Sequence, residues 1–161
     1  MSTAWLGLGS NVNAEAHIRA GIEALREEFD EVRLSPVYIS TAVGFDGDDF
    51  INLVARVETD LQPTQLRQFL RQLEDRYGRK RDVPKFSDRS LDIDILLYDD
   101  LVLISPVLQI PRPEILKFAH VLKPLFDLEP DLVHPTELCS IADIWESSGL
   151  GVSDLRLRSL P

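Results

Sequence analysis

The sequence predicts an α+β fold in which strands and helices follow the βαββαβ order of a ferredoxin-like core. Two segments carry apolar residues at helical spacing, and strand-like apolar or alternating runs flank each of them. No internal repeat or linker divides the chain. At 161 residues it is long enough for one hydrophobic core and short for two, so we expect residues 1–161 to form a single domain.

The first strand and helix are predicted near the N-terminus. The apolar run from Thr3 to Leu8 indicates a strand that ends in the turn Gly9-Ser10-Asn11. Apolar residues then recur at helical spacing and predict an amphipathic helix from about Glu15 to Phe29. The glycines of this turn do not form a G-x-G-x-x-G motif, because Val12 occupies the third glycine position.

The two central strands come next. Residues 31–40 read as a strand interrupted at Pro36, and the glycine-rich, acidic segment Thr41–Asp49 reads as a loop. From Phe50 onward the residues alternate. One face is predicted to carry Ile51, Leu53, Ala55 and Val57, and the other Phe50, Asn52, Val54 and Arg56.

The second helix begins at Pro63 and leads to the last strand of the core. Its predicted buried stripe consists of Leu66, Phe69, Leu70, Leu73 and Tyr77. A basic, irregular stretch precedes the strand that contains Asp92 and Asp94. Beyond that strand we expect a hairpin return at 99–105, mostly irregular structure at 121–135 and a short helix at 140–148.

Composition excludes several classes of function. The chain has 17 basic and 27 acidic residues, a net charge of −10, which argues against general affinity for nucleic acid but permits a local basic pocket. The lone cysteine, Cys139, cannot form an intramolecular disulfide and fits a reducing cytosol. With neither a signal-like N-terminus nor a run of about 18 apolar residues, we expect a cytoplasmic protein without a membrane partner.

Two carboxylates one residue apart interrupt the apolar stretch "RSLDIDILLYDD". Side chains two positions apart on a strand share a face, so Asp92 and Asp94 are predicted to point away from the core that Leu91, Ile93 and Ile95 enter. Mg²⁺ is usually bound by one or two carboxylates together with substrate phosphates. The pair therefore suits either a metal site or the solvated face of an ordinary strand.

Basic side chains gather just before this pair, at Arg79, Arg81, Lys85 and Arg89. Arginines beside a cation site suit polyphosphate binding, because a guanidinium group can donate two parallel hydrogen bonds to the oxygens of one phosphate. The alternative is a solvated helix C-terminus, where positive charge suits the helix dipole.

Phe50 and Asn52 share a strand face, and an aromatic ring beside an amide suits a flat heterocycle. A strand aromatic of this kind is more often part of the core. His17 and His134 fit structural or solvated roles, whereas His120 stays open. Hydrolase, zinc and P-loop motifs are absent from the sequence.

Taken in order, several segments resemble the 6-hydroxymethyl-7,8-dihydropterin pyrophosphokinase family over about residues 4–135. They are "LGLGSN", "SPVYISTAVG", "DDFINLVARVETDLQPTQL", "LEDRYGRKR", "RSLDIDILLYDD", "IPRP" and "VLKPLFDLEPDLVHP". The resemblance implies a ferredoxin-like α/β/α sandwich that transfers pyrophosphate from ATP to the pterin in folate biosynthesis, releasing AMP and using two Mg²⁺ ions. Small molecules are then the partners, and we expect a monomer.

The same resemblance assigns roles to residues. Asp92 and Asp94 match the metal ligands, and Glu74 matches the nucleotide-side wall. The basic positions around the triphosphate are Arg79, Arg81 and Arg89. The pterin site corresponds to Phe50 as the stacking ring, Asn52 as the amide that reads the pterin, and Thr41, Ala42 and Val43 as the loop along its edge.

The chain also departs from the family pattern. Phe86-Ser87-Asp88 replaces Trp-Gly-Pro, and Arg112 replaces the histidine of Pro-His-Pro. Phe118 stands where an arginine is usual, and His120 where an aromatic residue closes the pterin sandwich opposite Phe50. Arg112 is expected to bind the nucleotide and His120 to stack as a flat ring. A binding-only or weakly active paralogue, and a small-molecule sensor on the same fold, are the alternatives.

Overall fold

The structure, a computed structural model, describes residues 1–42, 47–77, 90–151 and 155–158. Its elements within these ranges are β1 (Ser2–Ser10), α1 (Ala14–Glu28), β2 (Val32–Leu34), β3 (Val37–Ser40), β4 (Phe50–Thr59), α2 (Pro63–Arg76), β5 (Asp92–Tyr98), β6 (Leu103–Ile104), β7 (Gln109–Ile110), a 3₁₀ turn (Pro113–Leu116), α3 (Ala119–Leu128), α4 (Ile141–Ser147) and β8 (Leu155–Arg158). Because β2 and β3 are the two parts of the strand predicted to break at Pro36, the βαββαβ order is confirmed.

The main sheet is antiparallel, with the order β5-β1-β4-β3-β8. Strand β2 pairs with β4 alongside β3. The central strand β1 therefore lies between β4 and β5, which carry the residue pairs singled out in the sequence.

Helices cover both faces of this sheet. The predicted alternation along β4 is confirmed, because Ile51, Leu53, Ala55 and Val57 pack in the core beneath α1 and α2. Val54 instead enters a second core with Trp5, Leu96 and the helices α3 and α4. The result is the expected α/β/α sandwich.

The first two helices form where their apolar periodicity predicts. Helix α1 buries Ile18, Ile22 and Leu25. Helix α2 begins with Pro63 at its first turn, and the backbone N–H of Gln62 donates to Oε1 of Gln65 at 2.9 Å. This reciprocal cap satisfies backbone groups that a helix start leaves unpaired.

The expectation of irregular structure at 121–135 is wrong for its first half, which forms α3 with Pro124 inside it. A proline removes one helical hydrogen bond and normally disfavours a helix interior. Here Leu122 and Leu125 are fully buried against the sheet. Their burial outweighs the local cost, which sequence periodicity alone did not capture.

The expected hairpin return after β5 is also wrong. Strand β6 pairs with β7 in a separate two-stranded sheet. The chain turns at Asp99, whose N–H donates to the Thr3 carbonyl at 2.8 Å and whose carboxylate accepts from the Thr3 N–H at 2.8 Å. These bonds direct the chain away from β5.

The short helix predicted at 140–148 is confirmed as α4, and β8 was not predicted. Among the residues that the structure describes, no helix is long and apolar enough to cross a membrane.

Candidate active site

Asp92 and Asp94 lie on β5, at the edge of the described sheet, and both are half-buried. Their neighbours Leu91, Ile93 and Ile95 are buried in the core beneath α1 and α2. The predicted alternation is therefore confirmed. The two carboxylates project from one face of an otherwise apolar strand.

A row of three residues crosses β4, β1 and β5 at the level of Asp92. Gly9 on β1 lies opposite Asn52 on one side and opposite Asp92 on the other. Directly paired residues of antiparallel strands point to the same face, so the amide and the carboxylate flank the glycine, roughly 10 Å apart. Because Gly9 has no side chain, none stands between the amide and the carboxylate in this row.

Phe50 and Asn52 lie close to this glycine. A Cβ built on Gly9 would be 3.3 Å from Oδ1 of Asn52 and 3.8 Å from Cδ1 of Phe50. Asn52 is buried, and its Nδ2 donates to Oγ of Ser40 on the neighbouring strand at 2.7 Å. This bond fixes the amide plane, since rotation of the amide would lose a buried hydrogen bond.

Ser40 was missed in the sequence, where the pterin edge was assigned to Thr41, Ala42 and Val43. Ser40 pairs directly with Phe50 across β3 and β4. Thr41 is exposed and Ala42 is half-buried, while Val43 lies outside the described residues. The loop contacts the first turn of the chain, because Nδ2 of Asn11 donates to the Asp48 carbonyl at 3.1 Å.

His120, the expected second wall opposite Phe50, lies in the first turn of α3. Its ring stacks on Phe118, with ring centroids 5.2 Å apart and an interplanar angle of 20°. Burial lowers the pKa of His120 and favours the neutral imidazole. Two of the residues at which the chain departs from the family pattern, Phe118 and His120, therefore contact each other. The stacking of His120 on a ligand stays a prediction.

A cleft of about 150 Å³ runs along β5 between α2 and the β6–β7 hairpin. Four of the predicted site residues line it: Glu74, Asp92, Asp94 and Arg112. Two further arginines, Arg67 and Arg71, line it from α2 and were not singled out in the sequence. Their spacing of four residues, with Glu74 three residues beyond, places all three on one helix face, a signal that was available.

Glu74 supports the strand that carries the carboxylates. It is only 4% exposed, and its Oε2 accepts from the N–H of Ile93 at 2.8 Å. Ile93 lies between Asp92 and Asp94, so this bond anchors the backbone on which both side chains are mounted. A buried carboxylate that accepts a backbone N–H makes a strong, charge-assisted bond.

Arg112 lies next to the carboxylate pair. Its Nη2 is 3.9 Å from Oδ2 of Asp94, and its Nε is 2.8 Å from Oε2 of Glu114. Desolvation, followed by the negative charge of Asp92, raises the pKa of Asp94 from 3.8 to about 7, and Arg112 opposes this rise. In the absence of a cation, the pair therefore binds a proton more readily than an isolated carboxyl group does.

The donor set at Asp92 and Asp94 fits Mg²⁺. Hard cations take oxygen ligands, and Mg²⁺ keeps sites for phosphate oxygens when only one or two carboxylates hold it. Among the described residues, no group of three or more His, Cys, Asp or Glu side chains is placed to hold an ion. Two carboxylates would leave most coordination positions of such an ion to phosphate oxygens.

Several predicted residues cannot be related to this geometry. Arg79, Arg81 and Arg89, and the departures at Phe86 and Asp88, lie outside the described residues.

Comparison with known proteins bears on this arrangement. The family model for 7,8-dihydro-6-hydroxymethylpterin-pyrophosphokinase (HPPK) matches residues 5–130, most of the chain. The chain belongs to the HPPK family. The 2-amino-4-hydroxy-6-hydroxymethyldihydropteridine pyrophosphokinase of Aquifex aeolicus is 39% identical to this chain over 137 residues, which cover 84% of this chain and 85% of that protein. The Pseudomonas aeruginosa enzyme of the same name is 40% identical over 136 residues, covering 81% and 83%.

Solved structures agree with this HPPK membership at the level of the fold. Plasmodium falciparum HPPK-DHPS with pteroate superimposes with a TM-score of 0.75 at 12% identity, over 97% of this chain and 47% of that one. The wild-type HPPK-DHPS structure gives a TM-score of 0.70 at 13% identity, over 90% and 44%. The chain therefore spans less than half the length of these structural relatives. The fold is the ferredoxin-like fold of HPPK domains.

Proposed function

We propose that this protein transfers the terminal pyrophosphoryl group of ATP to 6-hydroxymethyl-7,8-dihydropterin, releasing AMP, as a step of folate biosynthesis. HPPK membership supports the reaction. The row Asn52, Gly9 and Asp92 is the observation that carries the site assignment. It offers an amide for a flat heterocycle and a carboxylate for a cation–phosphate complex, with a glycine between them.

In this proposal the pterin lies over Gly9, with Phe50 against its ring and Asn52 along its edge. The bond from Asn52 to Ser40 holds the amide in place before the substrate arrives. Binding then orders fewer groups, which favours affinity and alignment of the hydroxymethyl group.

Asp92 and Asp94 would hold Mg²⁺ together with the phosphates of ATP, with Glu74 keeping their strand in register. A cation bound there would supply positive charge to neutralise the transferring group. The hydroxymethyl oxygen attacks the β-phosphorus in line, and the bond from that phosphorus to the oxygen of AMP breaks. The contribution of the protein is alignment and charge stabilisation.

The test is the formation of AMP from ATP, Mg²⁺ and 6-hydroxymethyl-7,8-dihydropterin. We expect pterin-dependent AMP from the wild-type chain and a loss of more than about a hundredfold in Asp92→Ala, since a charge-stabilising group is removed. Asp100→Ala is the matched control, because Asp100 is exposed in the turn after β5. If the wild-type chain binds both substrates without forming AMP, the protein is the binding-only paralogue and the proposal is wrong.

A further inference from the structure

Tyr38 on β3 extends the row of Asn52, Gly9 and Asp92, which we call the site row. It lies directly opposite Asn52, on the side away from Gly9, so its side chain points to the same face of the sheet. Tyr38 is only 6% exposed, and its hydroxyl donates to Oδ2 of Asp127 in the last turn of α3. A neighbour of the site row is therefore bonded to the helix that carries His120.

Helix α3 crosses the sheet beside the site row. Ahead of the 3₁₀ turn that leads into the helix, the N–H of Arg112 donates to the carbonyl of Leu96 on β5 at 3.0 Å. Just after the helix, Oε1 of Glu129 accepts from Nη1 of Arg56 on β4 at 2.9 Å. Between these ends the helix packs in the second core with Val54, which lies two residues beyond Asn52 on the same strand face. The helix therefore borders the site row.

Asp127 is held from two sides. Its Oδ2 accepts from Tyr38, and its Oδ1 accepts from Nζ of Lys123 at 2.7 Å. This ammonium group also lies 4.7 Å from the ring centroid of Phe126 and 5.7 Å from that of Trp145 on α4. Burial, together with the hydrogen bond to Asp127 and its charge, raises the pKa of Tyr38, so the hydroxyl stays protonated and donates. The bond is a fixed connection between β3 and the end of α3.

We propose that Tyr38 and Asp127 are positioning residues for the pterin, because their bond sets how far α3, and with it His120, lies from the site row. This inference rests on the function proposed above. His120 and Asp127 are seven residues apart on the helix, about 10 Å at 1.5 Å per residue. A close-packed helix moves as a unit, so a shift of its last turn is transmitted to its first. Both residues act through the helix and not on the reacting atoms.

The inference separates the two substrates. The carboxylates for the cation and the phosphates lie on β5, whose backbone is bonded to Glu74 on α2. A change at the end of α3 leaves that bond in place. Loss of the bond between Tyr38 and Asp127 should therefore weaken binding of the pterin and spare binding of the nucleotide.

Equilibrium binding of 6-hydroxymethyl-7,8-dihydropterin tests the inference without turnover. Calorimetry is carried out with Mg²⁺ and α,β-methylene-ATP, in which a methylene group replaces the bridging oxygen of the bond that the reaction breaks. Tyr38→Phe removes only the hydroxyl. We expect it to bind the pterin about three- to tenfold more weakly, as for the loss of one hydrogen bond, and the ATP analogue within about twofold of the wild-type chain. Unchanged affinity for the pterin would overturn the inference.

Tyr98→Phe is the matched control. Tyr98 is a tyrosine of β5 that is 7% exposed, and its hydroxyl donates to the carbonyl of Leu61 at 2.8 Å. Its ring packs in the other core, beneath α1 and α2. We expect Tyr98→Phe to bind the pterin within about twofold of the wild-type chain. A loss equal to that of Tyr38→Phe would show a general effect of removing a buried hydroxyl and would overturn the inference.

Variants of Asp127 test whether the two residues act through one bond. Asp127→Asn keeps an oxygen that accepts from Tyr38 and should bind the pterin within about twofold of the wild-type chain, whereas Asp127→Ala should lose as much affinity as Tyr38→Phe. The double variant Tyr38→Phe/Asp127→Ala should bind no more weakly than Asp127→Ala alone. Additive losses, or equal losses in the asparagine and alanine variants, would overturn the inference.

Separate measurements distinguish failure of the inference from failure of the proposed function. If the wild-type chain forms AMP but Tyr38→Phe binds the pterin as the wild-type chain does, only the inference is wrong. If the wild-type chain binds the pterin without forming AMP, and Tyr38→Phe weakens that binding as expected, the inference stands and the proposed function is wrong.

Discussion

Asp94→Asn should stabilise the metal-free protein at pH 8 and leave its stability nearly unchanged at pH 4. In the folded chain the pKa of Asp94 is raised from 3.8 to about 7, chiefly by desolvation and by the charge of Asp92. Between these values the unfolded chain ionises this carboxyl while the folded chain keeps it protonated. Stability therefore falls as pH rises from 3.8 through 7, and the penalty is complete above pH 7.

The magnitude follows from this shift and from the exposure of the side chain. A rise of about three pKa units corresponds to roughly 4 kcal/mol. The Asp94 side chain is 41% exposed, so solvent screens part of that energy and we expect about 1–2 kcal/mol. The asparagine keeps the shape of the carboxyl group and removes its charge.

Urea unfolding at pH 4, 6 and 8 in the presence of EDTA measures the effect as the difference in free energy of unfolding between the two chains. We expect this difference to grow with pH. Added Mg²⁺ should stabilise the wild-type chain at pH 8 and have little effect on Asp94→Asn. If the two stability curves run parallel from pH 4 to pH 8, the environment assigned to Asp94 is wrong.

Two further predictions concern residues that hold the site in place. Glu74→Leu removes the acceptor for the N–H of Ile93 and should lower the free energy of unfolding in urea by about 1–3 kcal/mol. Glu74→Gln keeps a carbonyl oxygen and should lower it less. Equal losses in the two variants would show that the acceptor does not matter. Ser40→Ala removes the hydrogen-bond acceptor that holds the amide of Asn52. In steady-state assays it should raise KM for the pterin by about three- to tenfold and leave KM for ATP unchanged. Equal rises in both KM values would contradict a local role.

The parts of the fold that could be predicted are those whose periodicity follows the core. Along β4 and β5, alternate residues enter the core beneath α1 and α2, so sequence and structure agree. Helix α3 could not be predicted in the same way, since Pro124 disfavours a helix locally while the burial of Leu122 and Leu125 favours one. That competition is decided by tertiary contacts that a local pattern does not contain.

The residues of the candidate site likewise fall into those that a local pattern indicates and those that only tertiary contacts bring together. Strand alternation was enough to predict Asp92 and Asp94, and Asn52 could be predicted from its position two residues after Phe50 on the same strand face. The shared helix face of Arg67, Arg71 and Glu74 could be seen in the sequence, but the position of the two arginines on the cleft opposite the β6–β7 hairpin could not. Ser40 was missed because its bond to Asn52 depends on the register between β3 and β4. Contacts of this kind join residues distant along the chain.

Of the departures from the family pattern, three lie within the described residues. Arg112 lies on the cleft, 3.9 Å from Asp94, in keeping with its expected place on the nucleotide side. Phe118 and His120 stack on each other at the start of α3. Arg112 thus lies on the cleft and the other two at the start of α3, while the carboxylate pair keeps the alternation expected of it.

The most direct measurement of the proposed chemistry follows the β-phosphate of ATP. The wild-type chain is supplied with Mg²⁺, 6-hydroxymethyl-7,8-dihydropterin and ATP labelled at the β-phosphate, and the products are separated by chromatography. Attack on the β-phosphorus predicts that the label appears in the pterin product and that the AMP formed is unlabelled. Label recovered in ADP would show transfer of a single phosphoryl group and would contradict this account.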